Sequence, residues 1–125
     1  GEVTAMSDVK LSHQTVQESP KVVVLKIVGE ADEGHGRRIE HHFDDLMKKE
    51  QPRHILLDLA ELTFAGSSFF SSLLFWRESL AHQGGKLLLV SVRPEVASTL
   101  RMVSLDRFLP MYPDPQTALA ALPKS

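Results

Sequence analysis

"HILLDLAELTFAGSSFFSSLLFW" (His54–Trp76) is the stretch on which the fold turns. Its first part, His54–Leu62, is dominated by Ile and Leu, and an apolar run of this length reads as a buried strand. Beyond Gly66 the period changes. At about 100° per residue, Phe69, Leu73, Trp76 and Leu80 fall on one narrow stripe, which is the inward face of a helix. A buried strand leading directly into an amphipathic helix is the building unit of a sheet with helices packed on it.

The opposite side of that helix carries Ser67, Ser71, Phe75, Glu78 and His82, while Phe70 and Leu74 lie on a flank where a neighbouring element could cover them. An outward face of small polar residues around one aromatic side chain suits a protein partner. Ser67 or Ser68, placed where the helix begins, is expected to cap it.

Working outward, "KVVVLKIVGEAD" (Lys21–Asp32) is β-branched and reads as a strand that breaks at Gly29. "KLSHQTVQESP" (Lys10–Pro20) alternates weakly, as an edge strand would. In "GRRIEHHFDDLMKKE" the residues Ile39, Phe43, Leu46 and Met47 share one helical face, and Pro52 stops the helix. Gly84-Gly85 ends the central helix, "KLLLVSV" (Lys86–Val92) is a further buried strand, and Pro94 opens another helix. "LPMYPD" suggests a short strand, and "PQTALAAL" a last helix starting at Pro115. The order ββαβαβα(β)α predicts an α/β fold, a single mixed sheet of four to five strands with helices at Arg37–Lys49, Ser67–Gln83 and Pro94–Met102 packed on it.

Composition narrows the function. The 125 residues carry a formal net charge of −2, so no basic surface invites nucleic acid. Cysteine is absent, which removes disulfides, thiol catalysis and thiolate metal sites. The apolar runs are far shorter than the roughly 20 residues that cross a bilayer, and "GEVTAMSDVK" has no signal-peptide core. Met6 reads as a natural start, with Gly1–Ala5 a cloning remnant. The expectation is a soluble, cytoplasmic, single domain over residues 6–125 that neither binds nucleic acid nor inserts into a membrane.

Enzyme chemistry has little footing. Strand, Gly66 and Ser67 imitate the nucleophile elbow of hydrolases, but Phe69 and Phe70 follow the serines where G-x-S-x-G needs a glycine. Of the histidines only His82 follows Ser67, and the one acidic residue between them, Glu78, lies on the same helix. No catalytic residue is expected. His41, His42, Asp44 and Asp45 are close in sequence, but His41 and His42 point about 100° apart on a helix. They read as a solvated polar face, with no metal and no cofactor expected.

The order of elements and several short motifs resemble the STAS domain of anti-sigma factor antagonists and of the cytoplasmic tails of anion transporters. "GEAD" (Gly29–Asp32) is similar to that family's G-E-x-D, "ILLDLAEL" to the strand before its D-S-S-G loop, and "GGKLLLVSV" and "MVSLDRFLPMYPDPQTALAAL" to its later elements. The resemblance covers about Val22 to Leu122. It implies a regulatory binding module whose partner is an anti-sigma factor that is also a serine kinase of the histidine-kinase-like ATPase class. In the family the first serine of the loop is phosphorylated, and the unphosphorylated form binds the partner and frees a sigma factor. By position that serine is Ser67, with Ser68 second. The implied docking surface is Gly66, Ser67, Ser68, Ser71 and Phe75 together with Glu30 and Asp32. Gly66 stands where the family has aspartate, and Phe69 and Ser71 where it has glycines, so inefficient phosphorylation is expected. The alternative implied by the family's other members is a separate STAS component of a membrane anion or lipid transport assembly, with a transporter subunit as partner.

Overall fold

The computed structural model describes residues 9–124, so the reading of Gly1–Ala5 lies outside it. Among the described residues six strands are present: β1 (Lys10–Glu18), β2 (Lys21–Ala31), β3 (His54–Asp58), β4 (Leu62–Ala65), β5 (Leu87–Val90) and β6 (Met111–Tyr112). The α-helices are α1 (Gly36–Glu50), α2 (Ser67–Ala81), α3 (Pro94–Met102) and α4 (Pro115–Ala121). The sheet runs β1-β2-β3-β5-β6, with β4 joined to β2 beyond β3. β1 is antiparallel to β2, and the other pairings are parallel.

Alternation along each strand sends side chains to two unequal layers. Val23, Leu25 and Ile27 of β2 and Ile55 and Leu57 of β3 meet Ile39, Phe43, Leu46, Phe69, Leu73, Trp76, Val96 and Leu100 from α1, α2 and α3. On the reverse side Val22, Leu56, Leu88 and Val90 are covered by Ala118 and Leu122 at α4. Phe43, Leu73 and Trp76 are buried, as the helical periods require.

The sheet departs from expectation at two places. The run His54–Leu62 is two strands separated by a turn, which raises the strand count to six. The Asp58 carboxylate accepts from the Ala60 amide at 3.0 Å, and Leu62 N–H donates to Leu59 carbonyl at 3.2 Å, so a side chain folds the chain over where no Gly or Pro marks a turn. β2 also passes through Gly29 instead of breaking there. Gly29 has φ 113, a conformation that costs glycine little, and the register shifts between Gly29 and Glu30. At that bend β2 exchanges β3 for β4 as its neighbour, with Gly29 N–H donating to Glu61 carbonyl at 3.0 Å. This handover places "GEAD" beside the start of α2.

A second glycine is fixed by space. Gly85 after α2 is buried, and a Cβ there would stand 1.7 Å from the Arg53 carbonyl oxygen. Its N–H closes the helix by donating to Leu80 carbonyl at 2.8 Å.

Candidate functional site

The site is the N-terminal end of α2 and its surroundings. Gly66 is the N-cap, in the extended conformation (φ −87, ψ 174), and its carbonyl accepts from Phe69 and Phe70 amides at 3.1 and 3.3 Å. Neither Ser67 nor Ser68 caps the helix by its side chain, contrary to expectation. They stand one and two residues inside the helical spiral, where a hydroxyl no longer faces the amides of the next turn. Ser67 is the first helical residue, and its side chain is exposed.

The Gly66 amide donates to Ala31 carbonyl at 3.0 Å, which fastens the serine turn to the end of β2. There Glu30 is exposed, and Asp32 is engaged: its Oδ1 accepts from the His35 amide at 3.1 Å and lies 2.9 Å from His35 Nδ1. Asp32 thus caps the short turn Glu33–His35 that leads into α1.

The serines divide by direction. Ser67 and Ser71 are exposed, and so is Phe75, at 63% the most open aromatic side chain of α2. No loop lies over Phe75. Ser68 and Ser72 turn instead toward a cleft of about 220 Å³ that they share with Asp32, Glu40, Gly36 and Phe69. Ser72 Oγ donates to the Glu40 carboxylate, and Trp76 Nε1 donates to Glu40 Oε1 at 3.1 Å. Trp76 also stacks on Phe43 of α1, ring centroids 4.4 Å apart. Glu40 and this stack set the position of α2 against α1. The sequence reading therefore brings Gly66, Ser67, Ser68, Glu30 and Asp32 to one locality, with Ser71 and Phe75 further along the outward face.

Two contributors escaped the sequence reading. Phe64 of β4 is 49% exposed, and its ring lies 3.5 Å from where a Gly66 Cβ would be, adding a second aromatic beside the serine turn. Its signal was an aromatic two residues before the cap, in a stretch read as a connection. Glu40 gave no signal, since its role depends on which helix lies opposite. Among the described residues no three or more His, Cys, Asp or Glu side chains converge to hold a metal, and no helix is long and apolar enough to cross a membrane.

The STAS domain family profile matches residues 13–118. The chain belongs to the STAS domain family. A relative described as an anti-sigma F factor antagonist of Paenibacillus polymyxa is 28% identical over 101 residues, covering 81% of this chain and 86% of that protein. The crystal structure of an anti-sigma factor antagonist from Mycobacterium paratuberculosis aligns with a TM-score of 0.81 at 23% identity, over 92% of this chain and 94% of that one. An anti-sigma-factor antagonist (STAS) domain protein from Planctomyces limnophilus aligns with a TM-score of 0.69 at 29% identity, over 93% and 98%. This STAS domain keeps the "GEAD" end of β2 against the start of α2, and it carries Gly66, not aspartate, at the cap.

Proposed function

We propose that this STAS domain is a non-enzymatic regulatory module, an anti-sigma factor antagonist that acts in the cytoplasm. Its partner is an anti-sigma factor that is also a serine kinase of the histidine-kinase-like ATPase class. The docking surface is Gly66, Ser67, Ser68, Ser71 and Phe75 with Glu30 and Asp32, and Phe64 extends it. One observation supports the reading: the 3.0 Å bond from Gly66 N–H to Ala31 carbonyl holds two separate motifs together, with Glu30 and Ser67 exposed on either side of it.

Ser67 is the switch position. A phosphate there adds close to two negative charges and sits at a helix N-terminus, where free amides and the helix dipole favour an anion. The surface seen by the partner then changes while the fold stays as it is. Ser68 suits the role less, because a phosphate on it would meet Asp32 and Glu40 across the cleft. Gly66 brings no carboxylate to the kinase, so phosphorylation is slow or incomplete.

The test is to mix the protein with the anti-sigma kinase encoded nearest to it, with and without ATP, and to follow complex formation and phosphate by mass spectrometry. The expected result is a complex with the unmodified protein and little phosphate, confined to Ser67. Failure to bind any such kinase, together with capture by a transporter permease, would replace this reading with a role in a transport assembly.

A further inference from the structure

His13 of β1 and His42 of α1 meet across the edge of the domain. His13 Nδ1 lies 3.2 Å from His42 Nε2, with the rings edge to face at 69°. Both side chains are half-buried. The geometry points to an acid-released clasp: a shared-proton histidine pair that fastens the edge strand β1 to α1 and lets go when both rings are protonated.

Among the described residues β1 has a sheet neighbour on one side, β2, so the contact with α1 is a second and independent attachment. An imidazole–imidazole hydrogen bond needs one ring nitrogen with a proton and one without. The pair keeps its bond when it holds one extra proton. With two, each nitrogen carries a hydrogen, and two positive rings stand 3.2 Å apart.

Charged groups face both rings of the pair. His13 Nε2 lies 3.6 Å from Glu50 Oε2, and Glu50 is itself held by Lys21 Nζ at 2.9 Å. On α1, Asp45 favours a cation on His42 while Lys49 opposes it, and Arg37, Arg38 and His41 line the open cleft beside that ring. Burial first, and then the charge of His13, hold His42 below the ordinary histidine value. The second proton therefore arrives only below about pH 6.5. The clasp is closed at neutral pH and opens as pH falls through the lowered His42 value.

The experiment combines ring-nitrogen NMR titration of the intact protein with amide exchange from pH 7.5 to 4.5, expressed as protection factors to remove intrinsic exchange chemistry. His42 is expected to titrate below the ordinary histidine value. Protection of the β1 amides bonded to β2 should fall by roughly threefold to tenfold relative to β3, the range of one net hydrogen bond. His42→Gln, with His13→Asn as a second variant should the first fold poorly, should remove this extra pH dependence. Titration of His42 at the ordinary histidine value, or an unchanged β1 response in both variants, overturns the clasp.

Discussion

The two faces of α2 are cut from the same fifteen residues and meet opposite surroundings. Phe69, Leu73, Trp76 and Leu80 are sealed against the sheet and α1, whereas Ser67, Ser71 and Phe75 face solvent. Each sealed large side chain contributes about 1.5–3 kcal/mol by leaving water, so the inner face holds the domain together. The outer face contributes little to folding, which leaves it free to specialise for a partner. On the proposed reading, a single helix separates stability from recognition by about 100° steps of its own spiral.

Removing the inner anchor breaks the comparison most severely. Trp76→Ala deletes the ring stacked on Phe43, the edge contact with Phe69 at 6.1 Å and the donor to Glu40. Such truncations cost about 3–5 kcal/mol, a large part of the 5–15 kcal/mol that holds a typical domain. Urea denaturation should show the loss. A variant as stable as the parent would mean that α2 is not anchored through Trp76.

On the outer face the effect moves from folding to binding. Phe75→Ala is expected to lower the melting temperature hardly at all, within about 0.5 kcal/mol of stability. Its affinity for the proposed anti-sigma kinase partner should fall roughly thirtyfold, as truncating a buried hot-spot aromatic costs about 2 kcal/mol. Calorimetry of binding and unfolding on one sample separates the two. If the variant unfolds readily and its folded fraction binds normally, the docking surface lies elsewhere.

Local pattern carried the inner face and most of the fold. The stripe from Phe69 to Leu80, the buried runs of β2, β3 and β5, and the prolines opening α3 and α4 all declare themselves within a few residues, because period and ring geometry are local properties. The Asp58 turn was hidden because it is made by a side chain taking the Ala60 amide, in a run as apolar as a continuous strand. The outer face, Ser67 included, was legible from the period as a small polar surface, and the resemblance set Ser67 at the family's phosphorylated position. What the helix wheel could not supply was the setting: Glu40 comes from another helix, Phe64 from a strand not foreseen, and His42, read as solvated, leans on His13. These depend on distant chain segments meeting.

Acid sharpens the contrast between interior and surface. His54 is buried on the reverse side of the sheet, where its Nδ1 accepts from the Lys86 amide at 3.0 Å and its Nε2 has no partner among the described residues. Burial, with Arg53 and then Lys86 nearby, holds it below the ordinary histidine value. The unfolded chain then binds more protons than the folded one below about pH 6.5, so stability is complete above that value and declines as pH falls through the lowered one. Melting temperatures from pH 7.5 to 5 should trace this decline, and His54→Leu should flatten it. A parent protein equally stable throughout that range would contradict it.

The smallest effect on folding tests the largest claim about the outer face. At Gly66 a Cβ would meet Ala31 carbonyl and the Phe64 ring at 3.5 Å, ordinary contact, and the backbone there is extended. Aspartate therefore fits the cap. Its carboxylate would accept an amide of the first turn and face the positive end of the helix dipole, yet glycine is already a tolerable cap, so the gain is only a few tenths of a kcal/mol. The same substitution supplies the carboxylate that STAS proteins of the phosphorylated kind carry before their serine. Gly66→Asp should thus raise the rate of kinase-dependent phosphate incorporation at Ser67 while leaving the unfolding curve nearly superimposable on the parent's. A rate unchanged by Gly66→Asp, with binding intact, would show that aspartate is not what limits this switch and that docking through Phe75 and its neighbours works without it.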